Sequence, residues 1–289
     1  MNAILILGGT GEGRELAGLL HDAGIEVITS LAGRVAQPRL PVGEVRIGGF
    51  GQYASGDGVT GLTNWLHENN IQAVVDATHP FAATITDHAA EAARRAGVPL
   101  LRLRRPAWDP ADFPGGDHWH HADSIEAAAQ QVSHLTTTGG RERVLLTTGR
   151  QDASAFAGID SASFLIRVVD APTGPLPPRH QILRSRGPYD TDSERRLLTD
   201  HIDVLVTKNS GGALTRAKLD IAGRLDIDIV IVDRPTEPQI EFVVDTATDA
   251  FTWCRAAPHQ HLGAAGASRS GRSDTSERIA EIRSAEVDR

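Results

Sequence analysis

Residues 3–14 read AILILGGTGEGR, a short apolar run followed by a glycine-rich turn. Five consecutive apolar residues predict a strand buried on both faces, as in a parallel sheet. Leu16, Leu19 and Leu20 then recur at helical spacing, so the turn joins this strand to a helix. Glycines there let the backbone approach a diphosphate, and the helix offers free N–H groups at its positive end. The residues predicted to bind a dinucleotide cofactor are Gly8, Gly9, Thr10, Gly11, Glu12, Gly13 and Arg14.

The spacing of this turn departs from the strict G-x-G-x-x-G pattern of dinucleotide-binding proteins. Gly9, Gly11 and Gly13 alternate, and Arg14 stands where the last glycine of the pattern is expected. A plain tight turn between strand and helix is therefore the alternative interpretation.

Composition and charge limit the classes of protein to consider. The chain has 289 residues, 40% of them hydrophobic and 23% charged, with a net charge of −8. These values are typical of a globular protein with one large domain or two ordinary ones. The negative charge predicts neither a nucleic acid nor a membrane as partner. Cys254 is the only cysteine, and the first residues lack a signal-peptide pattern, so we expect a cytoplasmic protein without a disulfide.

Alternation of strands and helices runs through most of the chain. Apolar runs predict strands at 3–7, 25–29, 45–47, 73–75, 98–103, 143–147, 164–169, 182–184, 204–206 and 227–232. Helical patterns lie between them, including 125–134, 192–200 and 213–225. The predicted fold is α/β, with two Rossmann-like domains that each contain a mostly parallel sheet flanked by helices, and a ligand cleft between them. We expect domains at 1–104 and 105–257, and a mostly disordered tail at 258–289.

The end of the second strand bears on the choice of cofactor. Selection of NAD usually places a carboxylate there, but residues 28–34 read ITSLAGR. The Ser30 hydroxyl and the Arg34 guanidinium suit a 2′-phosphate, with Gly33 in the same turn. The sequence therefore favours NADPH. The alternative is that Ser30 caps a turn and Arg34 is solvated.

The segment 76–82, DATHPFA, follows the fourth predicted strand. Ligands of open α/β sheets bind at the carboxyl ends of the strands, which predicts that this segment lines the cofactor site. The residues concerned are Thr78, His79, Pro80 and Phe81. In the alternative interpretation, Asp76 or Thr78 caps the next helix and His79 is an ordinary loop residue.

Three loops of the second half combine cations with hydroxyl groups. They are 148–150 (TGR), 184–189 (RSRGPY) and 207–212 (TKNSGG), and each follows a predicted strand. The last precedes a predicted helix, so its N–H groups and Lys208 form an anion site. Together the loops predict a ligand with several carboxylates. Helix caps and solvated arginines are the alternative.

Two further features are interpreted as structural. Residues 118–121, HWHH, lack a carboxylate or cysteine partner at metal-ligand spacing, so no metal is expected. Glu194 could be a general acid, but Thr191 three residues earlier makes a capping box the favoured interpretation.

The ordered set of motifs resembles the precorrin-6A reductases of cobalamin biosynthesis. The resemblance covers residues 3–255 and rests on 6–14, 46–51, 76–82, 148–150, 186–189 and 207–212, with Tyr189 where Phe is more usual. It implies a two-domain enzyme that uses NADPH to reduce a double bond of precorrin-6A, giving precorrin-6B. The substrate-binding residues it implies are Gly49, Phe50, Arg150, Arg186, Tyr189, Lys208, Asn209, Ser210 and Gly211.

Several alternatives stay open at the level of sequence. The proton needed for net reduction could come from His79, Tyr189 or water. The substrate could carry cobalt, or the protein could be a non-catalytic NADP(H)-sensing module. An alcohol dehydrogenase is disfavoured, because neither tyrosine, Tyr53 or Tyr189, is followed four residues later by the lysine that such enzymes use.

Overall fold

A computed structural model describes residues 3–33 and 39–260 of the chain. It divides into two compact units. The first contains the residues up to Arg105 and those from Thr236 onward, and the second is Pro106–Pro235. The predicted tail at 258–289 lies almost entirely outside the described residues.

The strands and helices have the following bounds in chain order. The strands are β1 (Ala3–Leu7), β2 (Val27–Leu31), β3 (Glu44–Ile47), β4 (Ile71–Asp76), β5 (Leu100–Leu103), β6 (Trp119–Ala122), β7 (Arg143–Leu146), β8 (Ser163–Val168), β9 (His180–Arg184), β10 (Val204–Lys208), β11 (Asp228–Val232) and β12 (Phe242–Val244). The helices are α1 (Gly11–Asp22), α2 (Gly58–Glu68), α3 (Ala83–Ala96), α4 (Ile125–Thr138), α5 (Thr191–Leu198), α6 (Ala217–Arg224) and α7 (Ala247–Gln260).

The first unit is a six-stranded sheet covered by helices on both faces. Its strand order is β12-β5-β4-β1-β2-β3, and each neighbouring pair is parallel. Alternate residues of β1 enter two different cores, as a strand buried on both faces requires. Ile4 and Ile6 pack with residues of α1 and α7, whereas Leu5 and Leu7 pack with residues of α2 and α3. Leu7 pairs with Ser30 and with Asp76, so β1, β2 and β4 end together at one carboxyl edge.

The second unit repeats this plan. Its order is β6-β11-β10-β7-β8-β9, again with parallel pairs throughout. In both sheets five strands follow the order 3-2-1-4-5 of a Rossmann fold. The predicted fold class, two Rossmann-like α/β units with parallel sheets, is confirmed. The stretch HWHH forms most of β6, a strand that the sequence analysis did not predict.

Each sheet takes its sixth strand from a segment outside its own run of five. β6 precedes the other five strands of the second sheet in the chain. After the second unit the chain re-enters the first unit and forms β12, which pairs with β5. The chain therefore divides differently from the expected domain at 105–257, because β12 and α7 belong to the first unit. Phe242 and Trp253 are buried in the first core, which explains physically why this segment returns. The expected first boundary at 104 lies one residue from the observed one.

Helices of the described residues do not approach the length and apolar character needed to cross a membrane.

Candidate functional site

The glycine-rich turn connects β1 to α1 at the carboxyl edge of the first sheet. Gly8 N donates to Ser30 O at 2.9 Å, which fixes the turn against the end of β2. Gly9 has a φ of +131°, which favours glycine, and a Cβ there would meet no atom of the described residues within 4 Å. The backbone of the turn is therefore accessible to a ligand on that side.

Thr10 and Gly13 fix the first turn of α1 against the end of β4. Thr10 Oγ1 accepts from Gly13 N at 3.1 Å and donates to Ala77 O at 2.7 Å, so it caps the helix. A Cβ on Gly13 would lie 3.1 Å from Ala77 Cβ. Close packing of helix and strand is the role of the third glycine in a dinucleotide-binding turn. Gly13 takes that role here, whereas the G-x-G-x-x-G pattern expects the third glycine at position 14, where this chain has Arg14.

The first turn of α1 also carries a carboxylate. Glu12 Oε2 accepts from Arg105 Nη1 at 2.9 Å, and both side chains are partly buried. A carboxylate near a bound diphosphate would repel it, and the Arg105 guanidinium offsets that charge. Arg14 is half-buried on the same helix.

Ser30 lies near the end of β2, beside Arg46, which was not among the residues predicted to bind the cofactor. Arg46 of β3 pairs in register with Ser30 and donates from Nη1 to Ser30 Oγ at 2.6 Å. Its guanidinium also stacks 3.9 Å above the centre of the Phe50 ring. Gly33 follows in the same turn with a φ of +73°. Arg34, predicted to bind a 2′-phosphate, lies outside the described residues.

The segment 76–82 begins at a buried carboxylate. Asp76 accepts from Thr78 N, Thr78 Oγ1 and Thr86 Oγ1 at 2.7–3.0 Å, and Arg102 Nη1 lies 3.2 Å from it. Arg102 also donates to the carbonyls of Asp76 and Thr78 and pairs with Glu237. These bonds determine the shape of the loop. Asp76 therefore does not cap α3, whose N-cap, Ala82, makes no side-chain bond.

His79 and its neighbours form the tip of this loop. His79 Nδ1 accepts from Phe81 N at 3.2 Å, and the two rings lie 5.8 Å apart. This bond orients the His79 ring within the loop. Thr78 and Pro80 are buried, and His79 and Phe81 are half-buried. The loop presents a wall of rings rather than a charged group.

In the second unit, two predicted cations lie beside acidic side chains. Lys208 Nζ lies 2.7 Å from Asp152, and Arg150 lies 3.8 Å from Asp170. Thr148 is buried, and its Oγ1 has no hydrogen-bond partner among the described residues. The loop 148–150 thus carries a buried hydroxyl next to an exposed guanidinium.

The segment 207–212 differs from its expected arrangement. Helix α6 begins only at Ala217, so this segment does not open a helix, and the predicted anion site at a helix N-terminus is wrong. Gly211 and Gly212 have positive φ and delay the helix. Asn209 Oδ1 accepts from Trp108 N, and its Nδ2 donates to Trp108 O, so its amide is engaged with backbone. Ser210 is half-buried in this loop.

Phe50 and Gly49, both predicted to bind substrate, lie in the first unit. Phe50 is buried and packs against Trp65 and under Arg46, which makes its ring a core group rather than a substrate contact. Gly49 is exposed, and its carbonyl accepts from Arg46 Nη2.

Glu194 does not form the expected capping box. Asp190 caps α5 by accepting from Ser193 N at 2.7 Å, whereas Glu194 points inward and pairs with Arg167. Arg167 in turn stacks 4.1 Å from the centre of the Tyr189 ring, and Tyr189 Oη donates to Ser185 O. Arg186 is exposed in the same loop.

The histidines of β6 are paired with carboxylates rather than grouped around a metal position. His120 lies 3.3 Å from Asp228, and His121 lies 2.8 Å from Asp233. Within the described ranges, no group of three or more His, Cys, Asp or Glu residues is placed to hold a metal ion.

Comparison with known proteins identifies the family. The model of the precorrin-6x reductases CbiJ/CobK matches residues 3–255. This chain belongs to that family. The precorrin-6A reductase of Rhodococcus erythropolis is 49% identical, covering 88% of this chain and 97% of its own. That of Mycobacterium tuberculosis (strain CDC 1551 / Oshkosh) is 50% identical, covering 89% and 99%.

A solved structure agrees with this membership. The structure named CobK precorrin-6A reductase superposes with a TM-score of 0.79 at 35% identity, covering 89% of this chain and 97% of that one. The predicted resemblance to the precorrin-6A reductases is therefore confirmed, and so is the double Rossmann-like fold.

Within this member of the precorrin-6x reductase family, sequence reasoning missed two groups. Arg46 could have been found from its position at the end of a strand next to Ser30. The buried pair of Arg167 and Glu194 carried no usable signal, because a Thr-x-x-Glu spacing on a helix is typical of a cap.

Proposed function

We propose that this protein is an NADPH-dependent precorrin-6A reductase that reduces a double bond of the macrocycle to give precorrin-6B. The observation that carries the proposal is the membership of the precorrin-6x reductase family over residues 3–255. Relatives of about half identity bear the name precorrin-6A reductase, without cobalt, which favours the metal-free substrate.

The carboxyl edge of the first sheet fits the cofactor. Gly9 leaves the turn accessible to a ligand. The first N–H groups of α1 lie at the N-terminus of the helix, which is the positive end of its dipole. The turn from Gly8 to Arg14 would hold the pyrophosphate, and Thr78, His79, Pro80 and Phe81 would line the nicotinamide side. When bound, NADPH supplies the hydride.

Ser30 and Arg46 would select the 2′-phosphate. The guanidinium of Arg46 is held by stacking on Phe50 and by its bond to Ser30 Oγ, so it is oriented before a ligand arrives. Ordered guanidinium groups bind phosphate in a two-pronged manner. Arg34 stays a predicted second contact to the same phosphate.

The second unit would bind the carboxylates of the macrocycle. Arg150 and Arg186 lie on loops that follow β7 and β9, and Lys208 is the last residue of β10, so all three lie at the carboxyl ends of strands of one parallel sheet. Asp152 and Asp170 partly offset two of these cations, and substrate carboxylates would compete with them. The Asn209 amide and the Gly211 turn shape the loop and would act through the backbone.

Water is favoured as the source of the proton. Tyr189 Oη donates to Ser185 O, and its ring is stacked on Arg167, which favours a packing role over proton donation. The bond from Phe81 N to His79 Nδ1 orients the imidazole within the loop, which suits a wall of the site.

The direct test is to mix the purified protein with NADPH and precorrin-6A and to follow the absorbance of both. We expect loss of the reduced nicotinamide only when the macrocycle is present. A parallel reaction with cobalt-precorrin-6A identifies the form that is used. Binding of NADPH without oxidation by either macrocycle would instead support the non-catalytic sensing module.

A further inference from the structure

Three ionisable side chains that this mechanism does not use lie buried together in the second unit. They are Arg167 of β8, Glu194 of α5 and Lys218 of α6, with 7%, 1% and 6% of their surfaces exposed. Arg167 Nη1 donates to Glu194 Oε1 at 2.5 Å, and Lys218 Nζ donates to Thr147 Oγ1 at 3.4 Å. Burying charges costs free energy that a pair only partly recovers, so such a group calls for a functional explanation.

Arg167 of this group is in contact with a loop proposed to bind substrate. The Arg167 guanidinium lies 4.1 Å from the centre of the Tyr189 ring, and Tyr189 Oη donates to Ser185 O at 3.1 Å. A Cβ on Gly187 would lie 3.1 Å from Tyr189 Cε2, so the loop packs tightly on the ring. The shape of residues 185–189, and with it the placement of Arg186, therefore depends on Arg167 and on Glu194.

The buried group has one carboxylate oxygen without a partner and one lysine whose pKa is lowered. Glu194 Oε2 is buried without a hydrogen-bond partner among the described residues. Arg167 and Glu194 are the charged groups that act on Lys218, and the Trp108 ring lies 5.8 Å from its Nζ. Burial and the charge of Arg167 lower the pKa of Lys218 to about 7, while Glu194 opposes that shift. The group thus loses one positive charge as the pH rises through neutrality.

We propose that Arg167, Glu194 and Lys218 are positioning residues for the macrocycle. The pair of Arg167 and Glu194 holds residues 185–189 in their binding shape. Lys218 donates to Thr147, which directly precedes the loop 148–150, so its ammonium strengthens the attraction for substrate carboxylates at that loop. This inference rests on the proposed function. It predicts that the KM for precorrin-6A rises about fivefold as Lys218 loses its proton, while kcat changes little.

The test is the pH dependence of KM and kcat at saturating NADPH, from about pH 6 to about pH 9. We expect Lys218→Met to show a high KM at every pH, because its side chain is never charged. Lys218→Arg keeps a charge throughout and should keep the low KM of the acidic limb. Arg224→Met, which removes an exposed cation from the same helix, should retain the wild-type profile.

The pair is tested by Arg167→Lys and Arg167→Met, compared with Arg196→Met on the exposed face of α5. Both Arg167 variants lose the planar stack on Tyr189 and should raise the KM about tenfold with kcat retained. Arg167→Lys keeps a buried charge and so guards against a variant that fails to fold.

The outcomes separate the two proposals. If the wild-type protein oxidises no NADPH with precorrin-6A, the proposed function is wrong. If the wild type oxidises NADPH with precorrin-6A but Lys218→Met shows the same pH dependence of KM as the wild type, only the further inference is overturned. The same holds if Arg167→Lys has the same KM as Arg196→Met.

Discussion

Arg46 donates a 2.6 Å hydrogen bond to Ser30 Oγ while its guanidinium rests on the Phe50 ring. A guanidinium fixed in this way loses little freedom when it binds an anion. Its position at the ends of β2 and β3 is where a 2′-phosphate would distinguish NADPH from NADH. Under the proposed function, the choice between NADPH and NADH would therefore depend on this side chain.

Replacing Arg46 should separate the two cofactors. Because a charge-assisted hydrogen bond contributes about 1.5–3 kcal/mol, Arg46→Met should raise the Kd for NADPH roughly 10- to 100-fold and leave the Kd for NADH nearly unchanged. Titration calorimetry with both nucleotides measures this. Arg94→Met, which removes an exposed arginine of α3, is the matched control. Equal losses for both nucleotides would remove Arg46 from the 2′-phosphate site.

Lys218 should make stability depend on pH. Burial lowers the pKa of Lys218 from 10.5 to about 7, so between these values the unfolded chain holds a proton that the folded chain has released. The unfolding free energy of the wild type, relative to Lys218→Met, should therefore rise with pH above about 7, with a slope approaching about 1.4 kcal/mol per pH unit.

Urea denaturation at a series of pH values measures this difference. Arg224→Met, which removes an exposed cation from the same helix, should follow the wild type at each pH. A difference between wild type and Lys218→Met that does not vary with pH would show that Lys218 titrates normally.

The local structure of single residues could be predicted where the backbone decides it, whereas their predicted roles in binding stay predictions. Gly9 and Thr10 act at a turn and a cap, for which local sequence is sufficient. The burial of Phe50 and the bonds of Asn209 to Trp108 could not be predicted, because both depend on the tertiary fold. The capping box predicted for Glu194 was wrong for the same reason, because its partner Arg167 lies 27 residues earlier in the chain.

At the element scale, the approach of α1 to β4 holds the cofactor turn in shape. A Cβ on Gly13 would lie 3.1 Å from Ala77 Cβ and 3.4 Å from Thr10 Oγ1, so a larger side chain must displace the helix. Thr10 spans the same contact through its bonds to Gly13 N and Ala77 O. The packing of one helix and the geometry of the turn are thus linked.

Gly13→Val should therefore cost about 1–3 kcal/mol of stability and weaken NADPH binding by at least tenfold. Gly18→Ala on the same helix is the control, because a Cβ there meets no described atom within 4 Å. It should stabilise the protein by about 0.5–1 kcal/mol without changing binding. Thermal unfolding and nucleotide titration measure both quantities. Normal NADPH affinity in Gly13→Val would contradict the role of this contact.

The buried central strands, such as β1 and β11, were predicted from their continuous apolar runs, whereas β6, β12 and α7 were missed. β12 has three residues and follows a segment with prolines, and β6 is four residues with two histidines. Helix α7 does carry a local signal, because Thr246 Oγ1 accepts from Asp249 N and donates to its carboxylate. The start of α6 was placed four residues too early, since Gly211 and Gly212 extend the loop.

At the scale of the whole molecule, the first unit is assembled from two separate parts of the chain. β12 pairs with β5, and Arg104 N donates to Val244 O at 2.8 Å. Glu237 joins the returning segment to Arg102 and Arg104. Trp253 and Cys254 of α7 are buried in the same core as β1. Pairing between residues so distant in sequence leaves no local pattern, which is why the domain boundary was misplaced.

The first unit should fold without the second when both of its parts are present. A chain in which residues 106–235 are replaced by a short Gly-Ser linker should unfold cooperatively and bind NADPH. Residues 1–105 alone should do neither, because Trp253 and Phe242 would be missing from the core. Circular dichroism during urea denaturation and nucleotide titration measure both. Cooperative folding of the shorter fragment would contradict the shared core.

Hydride transfer from NADPH to the macrocycle can be followed by isotope labelling. The protein is incubated with precorrin-6A and with NADPH that carries deuterium in place of the hydride to be transferred. The mass of the macrocyclic product is then measured by mass spectrometry. We predict a reduced macrocycle that contains one deuterium from the cofactor and one hydrogen from solvent. A reduced macrocycle without deuterium, or no reduced product at all, would contradict hydride transfer from NADPH by this protein.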